Sequence, residues 1–254
     1  MANYRHIVRQ ILPLHEDSVN PLELYPADDR TPASDRPWLM VNMVSSADGA
    51  SSVDGLSGGL GGEGDRAVFR AVRSSCDWIL VGAQTVRDER YRLPGVVAEV
   101  GALREAKGWA PAPRLAVVSR SGDLDPSLPL FAPPTDGQAP PLIITGPTPD
   151  PSAIARLDPT VEWCHLEDST PTAVLEALNV RGAQVVLLEG GPSVNGQFFD
   201  AELVDELCLT ISPHFVGGES PRIVTGRQAP NPADLALSRL LEHDHALFAR
   251  YVRS

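Results

Sequence analysis

The sequence predicts an α/β domain with a mostly parallel central sheet, flanked by helices and extended by antiparallel C-terminal strands. Short apolar segments typical of strands recur along the chain, and segments typical of helices lie between several of them. Most strand-like segments are apolar throughout, which is the pattern of parallel strands that are covered on both faces. The last two strand-like segments have no clear helix between them, so we expect antiparallel pairing at an edge.

The individual elements follow in chain order. A continuous apolar run, WLMVNMV, predicts the first buried strand at 38–44. In the segment 65–75, Val68, Phe69 and Val72 share one helical face, and Asp65 is the predicted N-cap. Further strands are predicted over 50–53, 77–82, 115–119, 142–145, 161–166, 184–190, 206–211 and 246–253, and further helices at the start of 83–93 and over 151–157, 170–182 and 193–203.

The N-terminal residues 1–37 carry few periodic signals. Their stretch YPADDRTPASDRP is rich in proline and aspartate. No change of composition after residue 37 is sharp enough to mark a second domain boundary. We therefore expect an N-terminal arm, residues 1–37, packed on one domain formed by residues 38–254.

Composition excludes several classes of partner. The 254 residues carry a formal net charge of −12, which disfavours binding to nucleic acid or to an anionic membrane surface. No apolar run approaches the roughly 20 residues of a membrane span, and the N-terminus lacks the apolar core of a signal peptide. The three cysteines are far apart and odd in number, which fits reduced thiols better than a disulfide framework. These features indicate a cytoplasmic globular protein.

The stretch VVLLEGGPSVNGQFFD at 185–200 has the pattern of a strand, a glycine turn and a helix. Gly190 and Gly191 let backbone come close to a ligand, and Pro192 fits the first helical turn. A helix N-terminus at the carboxyl end of a strand presents free amides to a phosphate. The alternative is an ordinary tight turn into a helix that is capped by Ser193.

A second strand end, VVSRSGD at 117–123, carries Ser119, Arg120 and Ser121. A guanidinium beside hydroxyls suits the 2′-phosphate of NADP, because arginine makes charge-assisted bidentate bonds to phosphate. A polar surface turn is the alternative interpretation.

Two more strand ends carry polar residues. In VGAQTVRDERYRL, Thr85 stands near a helix start and can donate to a phosphate, and the arginines that follow either face an anionic substrate or form a solvated surface. In SSADGA, Asp48 and Gly49 predict a tight turn. We expect Asp48 to fix that turn rather than to transfer protons.

Three partial motifs do not support other chemistry. Gly59, Gly61 and Gly64 fit the dinucleotide spacing G-x-G-x-x-G, but the preceding segment is a weak strand. The stretch GPSVN resembles a hydrolase nucleophile elbow but ends in Asn195. His165 begins half of a zinc deaminase signature, yet no P-C-x-x-C follows. The sequence therefore predicts no metal site.

Four segments together resemble a known family: VNMVSSADGASSVDGLSGG, RAVRSSCDWILVGAQTVRDERYRL, PRLAVVSRSG and LLEGGPSVNGQFFDAELVDELCLTISPHFVGG. In this order and spacing they are similar to the reductase domain of the bacterial riboflavin-biosynthesis deaminase/reductase, from about Trp38 to the C-terminus. The resemblance is strongest to the stand-alone actinobacterial members that lack a deaminase domain.

The resemblance implies a dihydrofolate-reductase-like fold, a homodimer and NADPH as the cofactor. It implies reduction of the ribosyl group of 5-amino-6-(5-phosphoribosylamino)uracil to the ribitylamino compound. One alternative is an NADPH-dependent reductase of another heterocycle, such as the pterin dihydrofolate. An alternative of another class is a non-catalytic NADPH-binding sensor or assembly subunit.

The resemblance also implies site residues. Glu189 is the proposed catalytic residue, which binds a substrate donor and relays a proton; its alternative role is a structural acid that accepts backbone amides. Arg73 and Leu93 would line the substrate with it, Arg73 by pairing with the phosphate. Glu89 stands where some members carry aspartate. The resemblance implies that the cofactor is bound by Ser45, Thr85, Glu89, Ser119, Gly191, Pro192, Ser193, Val194, Asn195, Gly196 and Gln197. Arg120 is added to this set by its own position at the second strand end.

Overall fold

A computed structural model describes residues 8–157, 159–227 and 233–254 of the chain. The chain divides into two compact units. Unit 1 comprises the described parts of 1–29, 39–75 and 192–254, and unit 2 comprises 30–38 and the described parts of 76–191. The boundary that we placed at residue 37 stays a prediction.

The described residues contain eleven strands and seven α-helices. The strands are β1 (Val8–Leu12), β2 (Glu16–Val19), β3 (Trp38–Ser46), β4 (Trp78–Gly82), β5 (Arg114–Val118), β6 (Leu142–Thr145), β7 (Glu162–His165), β8 (Val185–Leu188), β9 (Glu206–Ser212), β10 (Leu235–His243) and β11 (Ala246–Arg253). The helices are α1 (Pro21–Ala27), α2 (Glu63–Ser74), α3 (Ala83–Asp88), α4 (Gly101–Ala106), α5 (Pro151–Leu157), α6 (Pro171–Asn179) and α7 (Pro192–Asp200).

Unit 2 contains a fully parallel sheet with the strand order β8-β4-β5-β6-β7. Strands β4, β6 and β8 are buried along their whole length, as expected for apolar strands inside a parallel sheet. The Asp77 carboxylate accepts hydrogen bonds from the Gln184 and Val185 amides at 2.9 and 2.7 Å. Burial raises the pKa of this carboxyl and the two amides oppose the rise. Asp77 thereby aligns the starts of β4 and β8.

Unit 1 contains a mostly antiparallel sheet with the strand order β2-β1-β10-β11-β9-β3. Within this order only β9 and β3 pair in parallel. Helix α2 buries Ala67, Val68, Ala71 and Val72 on one face. The C-terminal strands therefore add the antiparallel part of the fold.

The predicted fold class is confirmed, because parallel strands dominate the centre and antiparallel strands the C-terminus. Two local predictions are wrong. Residues 50–53 form no strand; only an isolated bridge joins Val53 to Leu56 around a turn. The N-cap of α2 is Gly62 and not Asp65. The Asp65 carboxylate instead accepts a hydrogen bond from the Thr210 hydroxyl at 2.8 Å.

Five of these elements were not predicted from the sequence: β1, β2, α1, α4 and β10. Strand β10 pairs with β11 through a two-residue turn, Asp244–His245, in which both residues have positive φ. Two-residue hairpin turns with positive φ at both positions usually have the sequence Asn-Gly or Asp-Gly. Here the turn contains no glycine, and β10 is half-exposed along most of its length, so neither turn chemistry nor burial revealed it.

A buried ion network joins the N-terminal helix to the C-terminal strands of unit 1. Arg250 donates two hydrogen bonds to the fully buried Glu206 carboxylate at 2.8 and 3.0 Å, and is itself 7% exposed. Arg239 forms a bidentate ion pair with Asp28, the residue that follows α1. Burial acts to lower the pKa of Arg250, but the hydrogen bonds and charge of Glu206 raise it above its ordinary value. The Arg250 guanidinium therefore stays charged inside the unit.

Every helix among the described residues is too short or too polar to cross a bilayer. The same part of the chain holds no group of three His, Cys, Asp or Glu side chains placed to bind a metal ion.

We expect Glu206→Ala to lower the free energy of unfolding by about 3–5 kcal/mol, because it leaves the Arg250 guanidinium buried without its main partner. Urea denaturation followed by circular dichroism measures the loss. The matched control is Arg156→Ala, which removes an exposed pair with Asp123 and is expected to cost less than about 1 kcal/mol. Equal losses in the two variants would contradict this account of the network.

Candidate active site

The carboxyl ends of β4 and β8 form the core of the candidate site in unit 2. The Gly82 amide donates a hydrogen bond to the Gly190 carbonyl at 2.7 Å, which holds the two strand ends together. The Gly190–Gly191 peptide bond is cis. A Cβ atom on Gly191 would lie 2.9 Å from Thr85 Oγ1, so any side chain at this position would require Thr85 to shift. Two residues predicted to bind cofactor, Thr85 and Gly191, are thus brought together.

Glu189 occupies the end of β8, directly before the two glycines. Its amide donates to the Leu80 carbonyl at 2.9 Å, and the residue is 7% exposed. The Tyr91 hydroxyl donates to Glu189 Oε2 at 2.7 Å. The proposed catalytic carboxylate is therefore nearly removed from water and is held by a phenol.

Tyr91 is the site residue that sequence reasoning missed. Helix α3 ends at Asp88, and Arg90 then adopts a left-handed conformation with φ of 48°. The Tyr91 amide donates back to the Val86 carbonyl at 3.2 Å, as in a Schellman motif. Glycine is the usual residue at this reversal. Because arginine stands there, the turn that brings Tyr91 to Glu189 could not be predicted from the residue pattern.

The second strand end, after β5, is a tight turn that exposes an arginine. Ser119 is buried, and its hydroxyl oxygen accepts a hydrogen bond from the Gly122 amide at 3.1 Å. The Arg120 carbonyl accepts from the Gly146 amide at 3.3 Å, while the Arg120 side chain is exposed. Ser119 thus stabilises the turn, and Arg120 is the residue of this turn that is positioned to meet an anion.

Helix α7 begins immediately after Gly191 with Pro192 at its first position. One side of the helix is packed: the Asn195 amide group donates to the Ile223 carbonyl at 2.8 Å. A Cβ on Gly196 would lie 1.9 Å from the Thr225 carbonyl oxygen. Ser193 and Gln197 are exposed, and Val194 is half-buried. Of the predicted residues 191–197, Asn195 and Gly196 are therefore packed inside the protein, whereas Ser193 and Gln197 are accessible to a ligand.

At the end of β3, in unit 1, Ser45 is half-buried and lies in register with Ile211. The residues after it form a fixed turn. The Asp48 carboxylate accepts from the Ser46 hydroxyl at 2.5 Å and from the Gly217 and Val216 amides. These bonds lower the pKa of Asp48 to about 2. Asp48 thus has the turn-fixing geometry that the sequence suggested.

The remaining predicted residues are spread out. Arg73 lies in the last turn of α2, with its guanidinium carbon 4.3 Å from the centre of the Phe69 ring. Arg73 follows Asp65 by eight residues, or about 12 Å along the axis of α2. It therefore lies at the opposite end of the helix from the Asp65–Thr210 hydrogen bond. Glu89 is the C-cap of α3, and the Leu93 carbonyl accepts from Gln138 Nε2 at 3.4 Å. Their ligand roles stay predictions.

We expect Gly191→Ala to lower the free energy of unfolding by about 1–3 kcal/mol, since the new methyl group must displace Thr85. Chemical denaturation measures it, and adding Thr85→Ala should recover part of the loss because the clashing oxygen is gone. Gly95→Ala is the control, because a Cβ there meets nothing within 4 Å. A Gly191→Ala protein as stable as wild type would show that the close contact is absent.

The Asp48 turn predicts a pH dependence with a defined sign. Because the folded pKa lies below the ordinary value of 3.8, the stabilisation is fully present above that value and is lost as the pH falls through about 2. The gap in unfolding free energy between wild type and Asp48→Asn should therefore stay constant from pH 7 to about 5 and shrink toward pH 2. Denaturation of both proteins over a pH series measures the gap. Asp136→Asn, in an exposed loop, is the control, and a gap that widens in acid would contradict the assignment.

Comparison with known proteins places this geometry in a family. Residues 37–246 match the family model described as the RibD C-terminal domain. The chain is 26% identical over 223 residues to the 2,5-diamino-6-ribosylamino-4(3H)-pyrimidinone 5′-phosphate reductase of Archaeoglobus fulgidus, covering 86% of this chain and 100% of that protein. It is 31% identical over 209 residues to the Methanothermobacter thermautotrophicus protein of the same name, covering 78% and 88%.

Solved structures agree with this placement. A pyrimidine reductase-like protein of Corynebacterium diphtheriae superposes with a TM-score of 0.80 at 25% identity, covering 93% of this chain and 99% of that one. Acinetobacter baumannii RibD shares the fold, with a TM-score of 0.70 at 17% identity over 87% of this chain and 59% of that one. The resemblance noted in the sequence is confirmed, and the chain belongs to the RibD C-terminal domain family.

Proposed function

We propose that this protein is an NADPH-dependent reductase in riboflavin biosynthesis, which converts the ribosyl group of a ribosylaminopyrimidine 5′-phosphate into a ribityl group. The observation that carries the proposal is the buried Glu189 carboxylate, placed directly before Gly190–Gly191 and the first turn of α7. Membership of the RibD C-terminal domain family and the names of its relatives support the same reaction.

The residues around Gly191 fit a dinucleotide. Gly191 has no space for a side chain beside Thr85, so backbone rather than a side chain borders that position. The amides of Ser193 and Val194 lie in the first helical turn, where they have no acceptor inside the helix. Free amides and the helix dipole favour an anion there. We therefore propose that 191–197 hold the diphosphate of the cofactor.

We propose that Arg120 selects NADPH over NADH. Its side chain is exposed at the end of β5, on a turn that the Ser119 hydroxyl stabilises. A guanidinium binds a phosphate monoester through two parallel hydrogen bonds, whereas the 2′-hydroxyl of NADH offers no comparable charge. Thr85 beside Gly191, Ser45 and Glu89 complete the proposed cofactor-binding set.

The proposed chemistry divides between cofactor and protein. When bound, NADPH would supply the hydride. In the proposed reaction the substrate's ribosylamine would open to an imine, C1′ would gain the hydride and the nitrogen would gain a proton, giving a ribitylamine. Glu189 binds a hydrogen-bond donor of the substrate and relays the proton. Its low exposure keeps water from the reacting atoms and strengthens each polar contact. Leu93 and Arg73 remain the proposed partners of the substrate's ring and phosphate.

Two pyrimidines compete as the substrate. The sequence resemblance favours the deaminated 5-amino-6-(5-phosphoribosylamino)uracil. The relatives that this chain covers almost completely are named for the 2,5-diamino compound. Both carry the same sugar phosphate, so they differ only at the ring. Dihydrofolate, and binding of NADPH without turnover, are the remaining alternatives.

We also propose a cytoplasmic homodimer. All three cysteines are buried and outside disulfide bonds, as is usual in a reducing compartment. Ile11, Leu12 and Leu14, in β1 and the turn after it, are large apolar side chains exposed at 39%, 38% and 72%. Such a group supports an interface with a second copy.

Purified protein should oxidise NADPH when either ribosylaminopyrimidine phosphate is present, and not without it. The decrease of nicotinamide absorbance measures the rate, and the ratio of kcat/KM values identifies the preferred pyrimidine. Glu189→Gln should lower kcat by about 100-fold or more, since general acid–base groups contribute 10²–10⁴-fold. NADH should support a lower kcat/KM than NADPH.

The matched control for this assay is Glu105→Gln, an exposed glutamate of α4 that should not change the rate. Turnover of dihydrofolate but of neither pyrimidine would replace the proposed substrate. Enhanced NADPH fluorescence with no oxidation by any of the three would support the binding-only alternative.

A further inference from the structure

Tyr91 and Glu189 are joined by a short side-chain hydrogen bond, not only by van der Waals packing. The phenol oxygen lies 2.7 Å from Glu189 Oε2. Hydroxyl-to-carboxylate bonds in the range of about 2.5–2.7 Å are charge-assisted and stronger than neutral ones. Phenylalanine would fill the same space without a polar atom that has to be desolvated. The hydroxyl therefore serves the carboxylate rather than the core.

The backbone is arranged to deliver this hydroxyl. Arg90 adopts the left-handed conformation that turns the chain after α3, a conformation that is unfavourable for a residue with a Cβ. The Tyr91 amide is then fixed on the Val86 carbonyl. The position of Tyr91 is therefore fixed by the end of α3, although no glycine is present at this turn.

The hydrogen bond from Tyr91 restricts the side chain of Glu189. Its amide is held by Leu80, but this bond fixes only the backbone at the end of β8. The side chain has three rotatable bonds, and a substrate donor must meet its carboxylate in one orientation for efficient reaction. A donor on one carboxylate oxygen removes much of that freedom before the substrate arrives.

We infer that Tyr91 is a positioning residue that orients Glu189 toward the ribosylaminopyrimidine, an inference that rests on the proposed function. It acts through the carboxylate and contributes nothing to cofactor binding. Loss of the hydroxyl should lower kcat/KM for the pyrimidine by about 10-fold or more, because hydrogen bonds to charged groups are among the stronger ones in proteins. Affinity for NADPH should change less than about twofold.

A double-mutant cycle tests this role with wild type, Tyr91→Phe, Glu189→Gln and the double variant. Three quantities are measured for each: kcat/KM for the pyrimidine phosphate, the NADPH dissociation constant from fluorescence, and the melting temperature. We expect Tyr91→Phe to be harmful when Glu189 is present and to change kcat/KM less than about twofold when residue 189 is glutamine. Tyr251→Phe, on β11, is the matched control and should behave as wild type in every measurement.

The outcomes separate this inference from the proposed function. If wild type reduces the pyrimidine and Tyr91→Phe is within twofold of it, or if the two effects multiply, Tyr91 does not act through Glu189. If wild type shows no turnover, binding of the pyrimidine phosphate by thermal shift replaces kcat/KM in the cycle. Coupled losses of binding would then support the positioning role without the reductase activity. Absence of both turnover and binding would overturn the two together.

Discussion

A single backbone hydrogen bond, from the Gly82 amide to the Gly190 carbonyl, is the constraint on which the candidate site depends. At the opposite end of the same two strands, Asp77 binds the amides that begin β8. With both ends fixed, Gly82 at the end of β4 lies beside Gly190, two residues after the end of β8. Thr85 then meets Gly191, and Glu189 is left at the edge where Tyr91 reaches it. The functional groups are few, but the sheet determines where each one lies.

Both units combine buried apolar strands with buried charged groups. In unit 2 the strands are mostly apolar, with burial of hydrocarbon as the main contribution, and Asp77 and Glu189 are buried beside them. In unit 1 the buried Glu206 carboxylate is compensated by Arg250 through two hydrogen bonds. Paired buried ions contribute modestly as a pair but are costly to separate. Unit 1 should therefore tolerate conservative apolar substitutions better than the loss of either of these two residues.

Much of unit 2 could be predicted from sequence, because its strands are unbroken apolar runs between glycine or proline turns. The place of Glu189 and Gly191 between β8 and α7 could be predicted as well, since a strand, a glycine turn and a helix form a recognisable order. Strand β10 could not, because its hairpin turns at Asp244 and His245 without glycine. Tyr91 was missed for the same reason, as Arg90 occupies a left-handed position that sequence patterns assign to glycine. A strand that forms through pairing with its neighbour, or a turn that places a non-glycine residue at positive φ, has no distinctive residue pattern in the sequence.

The N-terminal segment has a practical consequence. The part of the chain shared with the family begins at residue 37. Yet Asp28 neutralises Arg239, and β1 supplies hydrogen-bond partners along the outer side of β10. A recombinant fragment trimmed to the family boundary would bare a strand edge beside an unneutralised guanidinium, a combination that promotes intermolecular strand addition and insoluble expression. We therefore expect a fragment that folds on its own to extend N-terminally beyond residue 37, where the family match begins.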